Sequence, residues 1–170
     1  WNGTEADHNY NWHDAIRAYS DLHNSQMNDC GLDVNIPCDD HNHGTHTIGT
    51  VVGETEDSKF GVAPDAQWIG CRNMERGYGT LETYLECFQW FLAPTDLDNL
   101  NPNPSKVPHV INNSWGCPAM EGCNTSNFIF LETAVNNLKN AGVVVVASAG
   151  NDGSGCATIQ NPAAIFENSF

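Results

Sequence analysis

Residues 128–153 read FIFLETAVNNLKNAGVVVVASAGNDG and place a helical pattern directly before a strand pattern. Phe128, Leu131, Val135 and Leu138 recur at helical spacing and predict one buried helix face, and Gly142 is the type of residue that stops a helix. The β-branched run Val143–Ser148 then predicts a strand that is too apolar to be exposed on either face. This stretch therefore indicates a helix that returns the chain to a buried strand.

The same alternation of patterns continues toward the N-terminus. Val110–Ser114 predicts a second strand, a helical stripe between Leu81 and Phe91 ends before Pro94, and Ala66–Arg72 predicts a further strand. Strand, helix, strand, helix and strand at these lengths form βαβαβ units with right-handed crossovers. We therefore expect an α/β fold with a largely parallel, doubly wound sheet and helices on both faces.

Three segments follow the carboxyl ends of the predicted strands, where ligands bind in such sheets. They are rich in Gly, Ser and Asn, and they comprise Arg72–Thr80, Ser114–Cys117 and Ala149–Gly153. Residues of these types let backbone donors and acceptors face a cleft. The sequence thus predicts a site at this edge of the sheet.

Length and charge exclude several classes of function. The chain has 170 residues, enough for one domain, and 6 basic against 21 acidic residues give a net charge of −15. Such a chain is repelled by phosphate backbones, so nucleic acid is not an expected partner. The longest apolar run, Val143–Ala147, is far too short to span a bilayer, so no membrane partner is expected either.

Seven cysteines without a CxxC spacing indicate an oxidising compartment, and we expect a secreted, extracellular protein. We predict that Cys30 and Cys38 form a local bridge in the loop before His43. Cys117, Cys123 and Cys156 are expected to lie together near the site, so that two of them can pair. Cys71 and Cys87 appear as lone residues in the pattern.

The N-terminal forty residues are polar and predict surface loops, with at most a short helix near Trp12–Tyr19. From His43 the pattern changes. Gly44–Gly53 is small and apolar, and Ile48, Val51 and Val52 are spaced for one helix face. The two glycines inside this helix indicate close packing or a closely approaching ligand.

Residues 39–46, DDHNHGTH, form the densest cluster of chemically active side chains. Its His and Asp residues are suitable metal ligands, but His43 and His46 lack the i, i+4 spacing of a zinc-binding helix. Alternatively, one His is a general base at the start of a helix and the other is structural. A third interpretation treats all of them as ordinary loop or core histidines.

Two further motifs lie at strand ends. Ser114-Trp115-Gly116 follows a strand and offers main-chain partners to an extended peptide, or is an ordinary strand end. Asn151 lies between glycines after the apolar strand, where its amide could donate a hydrogen bond to an oxyanion or cap a turn. Each motif is weak alone, and their order along one sheet is what points to a common site.

These motifs together resemble those of the subtilisin-like serine proteases (subtilases), most closely the bacillopeptidase F-like members. The resembling stretches are DDHNHGTHTIGTVVG, FGVAPDAQWIG, FLAP, VINNSWG, VVVVASAGNDG and QNPA, and they extend over most of the chain from residue 39 onward. The HGTH stretch is highly specific, and the AGN stretch supports it independently.

The resemblance assigns roles residue by residue. His43 matches the catalytic histidine, and Asn151 matches the oxyanion-hole asparagine. Ser114, Trp115 and Gly116 match the segment that pairs with substrate backbone beside the specificity pocket. Gly77, Tyr78 and Gly79 resemble the opposite edge of the substrate groove. His46 is expected to be structural.

The family's catalytic triad is Asp, His and Ser in chain order, and the chain departs from the family pattern at the Asp and at the Ser. By the resemblance, residue 1 is expected to follow the strand that carries the catalytic Asp, and these residues contain no Gly-Thr-Ser motif for the nucleophile. Residues 1–170 are therefore expected to form the central part of one subtilisin-like catalytic domain. The remaining segments of that domain are expected partners.

The function implied by the resemblance is that of a serine endopeptidase acting on protein or peptide substrates through an acyl-enzyme. The 170 residues alone are expected to be inactive, and the alternative is a non-catalytic peptide-binding or structural relative. No cofactor is required. A structural calcium ion near Glu54–Asp57 is an option that the resemblance leaves open, not a prediction, because this loop is short.

Overall fold

Helices and strands alternate along the chain in the computed structural model, which describes residues 6–23 and 28–165. The helices are α1 His43–Val52, α2 Leu81–Leu92 and α3 Phe128–Asn140. The strands are β1 Trp12–Asp14, β2 Gly70–Arg72, β3 Met74–Glu75, β4 Tyr78–Gly79, β5 Val110–Asn113 and β6 Val144–Ala147. None of the helices in this described part is long and apolar enough to cross a membrane.

The strands pair in a mainly parallel manner. β1 runs parallel to β2, and β5 runs parallel to β6 with Val110 opposite Val144 and Asn113 opposite Ala147. β3 and β4 form a short antiparallel hairpin. The fold is α/β, as the alternation predicted. Within the described residues the strands form separate two-stranded sheets, so the continuous doubly wound sheet stays a prediction.

The main core lies between α2, α3 and one face of β5 and β6. The helical stripes predicted from sequence supply its fully buried side chains, which include Tyr84, Phe88, Leu131, Val135 and Leu138. α2 begins at a reciprocal cap, in which the Thr80 and Thr83 hydroxyls accept hydrogen bonds from each other's backbone N–H. α3 is followed by Gly142 at φ 88°, a left-handed conformation that favours glycine and ends the helix as predicted.

The opposite face of β5 and β6 is open in the described part of the chain. Val110 and Val144 lie side by side in the register and are 55% and 46% exposed. The expectation that Val143–Ser148 is buried on both faces is therefore wrong at Val144, because α2 and α3 pack only on the other face. Helices on both faces of the sheet likewise stay a prediction.

The N-terminal region differs from its sequence-based interpretation. The prediction of surface loops, with at most a short helix near Trp12–Tyr19, is wrong at Trp12–Asp14, which forms the buried strand β1. Pairing with β2 decides this conformation, and Asp14 accepts hydrogen bonds from the Ile16 and Val34 N–H groups at 2.9 Å. The strand predicted at Ala66–Arg72 is shortened to Gly70–Arg72.

Three disulfides stabilise the described residues. The Cys30–Cys38 bridge confirms the predicted local loop, and Cys117 pairs with Cys123. The prediction that Cys71 and Cys87 are lone residues is wrong, because β2 lies beside α2 and the two sulfurs form a disulfide there. Cys156 is exposed and unpaired within the described part.

Candidate active site

His43 is the first residue of α1, and its position depends on a single carboxylate in the preceding loop. Asp39 Oδ2 accepts hydrogen bonds from the backbone N–H and the hydroxyl of Thr45, both at 2.7 Å. Asp39 Oδ1 accepts from the N–H groups of His41 and Asn42 at 3.0 and 2.8 Å. Asp39 thus takes the place of a helix cap, a task that the N-cap residue Asn42 does not perform.

The electrostatics of this loop follow from those bonds. Partial burial raises the pKa of Asp39, but the hydrogen bonds from Thr45, His41 and Asn42 outweigh it and hold the pKa below its ordinary value. The charged carboxylate also lies at the positive end of the helix dipole. Asp39 is therefore a stable anion that orders the turn carrying His43.

A buried ion-pair network also holds the loop before His43, through Asp40. Arg72, at the end of β2, donates to Asp14 Oδ2 at 3.0 Å and pairs with Asp40 Oδ2. All three side chains are nearly inaccessible to solvent. Asp40 also accepts a hydrogen bond from the Arg76 N–H at 2.9 Å. The network joins β1, β2, the His43 loop and the β3–β4 hairpin.

The β3–β4 hairpin places Gly77, Tyr78 and Gly79 beside this loop. Gly77 has φ 85°, and a methyl group there would lie 3.0 Å from His41 Nε2, so the hairpin turn lies directly against the His41 ring. The hairpin is held from the other side by buried Glu75, which accepts hydrogen bonds from Ser20 N–H and Asn28 and pairs with His23. We call residues 77–79 the first wall.

Residues 114–116, which we call the second wall, leave the carboxyl end of β5. The Asn112 side-chain amide donates to Ser114 Oγ at 2.9 Å. A methyl group at Gly116 would lie 3.2 Å from Gln160 Oε1. The Cys117 N–H donates to Asn161 O at 3.0 Å, which fixes the end of the wall on the 160–161 segment.

Asn151 follows β6 in an exposed loop. Gly150 has φ 93°, and a methyl group there would lie 2.5 Å from the Gln160 side chain. The Gln160 N–H donates to Ala149 O at 2.9 Å. Because Gln160 contacts both Gly150 and Gly116, the segment carrying Asn151 lies beside the second wall.

Tyr84 and Glu121 fill the space between the two walls, and neither was singled out from the sequence. Tyr84 belongs to the apolar stripe of α2, and Glu121 lies in the loop closed by the Cys117–Cys123 bridge. Burial raises the pKa of Tyr84, and the hydrogen bond to Glu121 raises it further. Burial also raises the pKa of Glu121, and the hydrogen bonds that Glu121 accepts from Tyr84 and Gly79 offset only part of this rise. No single-sequence pattern marks such a pair, since each partner resembles an ordinary core or loop residue.

The structure therefore brings the predicted segments into one neighbourhood through a series of direct contacts. The series passes from the His43 loop to the first wall, then through Tyr84 and Glu121 to the second wall, and through Gln160 to the Asn151 loop. His43 and Asn151 are both exposed. Within residues 6–23 and 28–165 the His43 imidazole makes no hydrogen bond.

The structure does not support the interpretation of residues 39–46 as metal ligands. In the described part of the chain, no group of three or more His, Cys, Asp and Glu side chains is placed to hold a metal ion. Asp39 caps α1 and Asp40 pairs with Arg72 instead. Near the Glu54–Asp57 loop, Lys59 pairs with Asp65 at 2.5 Å and lies 3.9 Å from Glu54.

Comparisons with known proteins give one consistent result. The model of the subtilase family matches residues 3–167. Bacillopeptidase F of Bacillus subtilis is 38% identical over 117 residues, which are 68% of this chain and 7% of that protein. A thermophilic serine proteinase of a Bacillus species is 36% identical over 121 residues, 69% of this chain and 25% of that protein.

The name of a third relative describes it as extracellular. The minor extracellular protease Epr of Bacillus subtilis is 31% identical over 119 residues, 69% of this chain and 16% of that protein. The chain thus spans a quarter or less of the length of these relatives.

Proposed function

Because this chain belongs to the subtilase family, as its motifs indicated, we propose that it forms the central part of a subtilisin-like catalytic domain in a serine endopeptidase. His43 is the general base and Asn151 is the oxyanion donor. The catalytic Asp and the nucleophilic Ser are supplied by segments outside these 170 residues. The relatives support the class of activity, since they are named as proteases.

One observation carries the proposal: the contact series that unites the His43 loop, both walls and the Asn151 loop. Direct contacts join the His43 loop to the first wall, both walls to the Tyr84–Glu121 pair, and the second wall to Gln160, which supports one shared site for an extended peptide. The exposure of His43 and Asn151 leaves both side chains accessible to a substrate and to further segments.

The mechanism is acyl transfer. The serine oxygen attacks the scissile carbonyl while His43 takes the hydroxyl proton, and His43 then returns this proton to the leaving amine. The Asn151 side-chain amide donates a hydrogen bond to the oxygen on which negative charge develops. Water then hydrolyses the acyl-enzyme, again with His43 as the base.

The substrate lies as an extended chain between the first and second walls. Residues 114–116 follow β5, and residues 77–79 form the turn and second strand of the β3–β4 hairpin, so both can offer main-chain groups to a peptide. A complex of the whole protein with a peptide aldehyde is expected to show main-chain hydrogen bonds to both walls. A peptide bound on another face would contradict this placement.

The open surfaces support a domain completed by other segments. α1 has no buried residue, and Val110 and Val144 expose an apolar face of the β5–β6 pair. Apolar faces of this kind are normally covered in a folded domain. Three disulfides and the name of the extracellular relative support secretion of the protein.

Activity of the whole protein and of the 170-residue chain tests the function. We expect the whole protein to cleave casein and to become labelled on a serine by a fluorophosphonate, and the 170-residue chain to do neither. Loss of cleavage with a chelator, without serine labelling, would favour a metal site in residues 39–46. Peptide binding without labelling or cleavage would identify a non-catalytic relative.

A further inference from the structure

Tyr84 and Glu121 form a buried polar pair in the packed half of the molecule. Tyr84 is completely buried and Glu121 is 7% exposed. The Tyr84 hydroxyl donates a hydrogen bond to Glu121 Oε2 at 2.6 Å. A hydrogen bond from a hydroxyl to a carboxylate at this distance is stronger than a hydrogen bond between two neutral groups. The proposed chemistry uses neither side chain.

The pair is in direct contact with the first wall. The Gly79 N–H donates to Glu121 Oε1 at 3.3 Å. A methyl group at Gly79 would lie 2.5 Å from Tyr84 Cζ and Oη, so the backbone of β4 rests on the hydroxyl end of the Tyr84 ring. Glycine is required at this position because any side chain would separate the hairpin from α2.

The same pair contacts the second wall. The Tyr84 ring stacks on Trp115 with centroids 4.0 Å apart and an interplanar angle of 3°. Tyr84 Oη also lies 3.5 Å from Gly116 O. Cys117 follows Gly116 directly, and its disulfide to Cys123 closes the loop that carries Glu121. Glu121 is therefore covalently tied close to the second wall.

We propose that Tyr84 and Glu121 are positioning residues, which fix the separation of the first and second walls and thereby the binding of extended peptides. This inference rests on the proposed function. One hydrogen-bonded pair contacts both walls, so loss of either partner changes the spacing between them. The pair does not reach the scissile bond, and the chemical step does not depend on it.

A series of peptide anilides of increasing length tests the inference in the whole protein. For Tyr84→Phe and Glu121→Gln we expect KM for a tetrapeptide anilide to rise about fivefold, with kcat changed less than about twofold. KM for a single-residue anilide is expected to stay within about twofold, because that substrate does not extend along both walls. Tyr10→Phe and Glu132→Gln are matched controls outside the walls, and they are expected to change neither constant.

Two further variants separate positioning from stability. Glu121→Ala is expected to raise KM for the tetrapeptide more than Glu121→Gln does, since Gln keeps one acceptor. The double variant Tyr84→Phe/Glu121→Gln is expected to show less than the sum of the single effects, because both changes remove the same bond. If the pair served stability alone, Tm would fall while the KM values of short and long substrates changed equally. That result, or unchanged KM for the tetrapeptide, would overturn the inference.

Failure of the proposed function can be distinguished from failure of the positioning role in the same experiment. It would appear as a wild-type protein that neither cleaves the anilides nor is labelled by a fluorophosphonate. In that case the affinity of the unmodified tetrapeptide, measured by calorimetry, still tests the pair. Weaker binding in Tyr84→Phe than in Tyr10→Phe supports the positioning role, and equal binding or no binding to the wild type contradicts it.

Discussion

α1 and the α2–α3 pair hold their positions by different means. α2 and α3 bury aromatic and aliphatic stripes against β5 and β6, whereas α1 has no buried residue and its N-terminal end is held by Asp39 and the Arg72 network. The helices behind the proposed walls therefore depend on core packing, whereas the turn that carries the proposed general base depends on polar contacts. Under the proposed function, we expect further segments of the catalytic domain to supply apolar packing on α1.

Arg72 gives the largest expected effect on stability, and it tests the polar side of the comparison. Arg72→Met leaves the buried carboxylates of Asp14 and Asp40 without their partner, so we expect a loss of about 3 kcal/mol or more in the free energy of unfolding. Urea unfolding measures it, with exposed Lys106→Met as the control. A loss no larger than that of the control would mean that apolar contacts hold the His43 loop after all.

Leu131 on α3 tests the role of core packing in the α2–α3 pair. Leu131 is completely buried between α3 and the core, and Leu131→Ala is expected to cost about 3 kcal/mol through lost burial and the cavity that remains. The expected loss is the same in the 170-residue chain and in the whole protein, because this core lies within the chain. A much larger loss in the whole protein would show that other segments contribute to this core.

Val51 on α1 makes the comparison sharper, because its environment is expected to change between the two forms. Val51 is 37% exposed here, and Val51→Ala is expected to cost about 0.5 kcal/mol or less in the 170-residue chain. In the whole protein we expect about 2 kcal/mol, since a covering segment would bury the side chain. Equal small losses in both forms would contradict the proposal that α1 is covered.

Asp39 gives a smaller effect than Arg72 or Leu131, and that effect depends on pH. Its pKa in the folded protein lies below the ordinary value of 3.8, so its contribution is complete above that pH and is lost as the pH falls through the folded pKa. Asp39→Asn is expected to cost about 1 kcal/mol at pH 6.

Urea unfolding of wild type and Asp39→Asn between pH 6 and pH 3 measures this dependence. The difference between them is expected to shrink below about pH 3.8, the ordinary Asp value. Exposed Asp98→Asn is the control. A difference that grows toward acid pH would contradict the role of the Asp39 charge.

The regular part of the fold could be predicted because its information is local. The stripes of α2 and α3, the Gly142 stop and the strand run after it each appear within a short window of sequence. Likewise His43, the second wall and Asn151 lie at element ends that the pattern identifies. These features depend on the period of apolar residues and on Gly placement, which single-sequence reasoning detects.

The features that were missed are set by tertiary partners. β1 has three residues, too few for a period, and becomes a strand only by pairing with β2. The Cys71–Cys87 bond forms only when β2 lies beside α2. Tyr84 and Glu121 are 37 positions apart and acquire their relation only when the walls come together. No local pattern carries such information.

Turnover by the His43→Ala variant of the whole protein tests the central claim most directly. We expect kcat/KM for a peptide anilide to fall by a factor on the order of 10⁴ or more, with Tm unchanged, because the nucleophile loses its base. His109→Ala, at the opposite end of β5, is expected to retain wild-type turnover. A His43→Ala protein that keeps turnover within about tenfold of wild type would contradict the assignment of His43 as the general base.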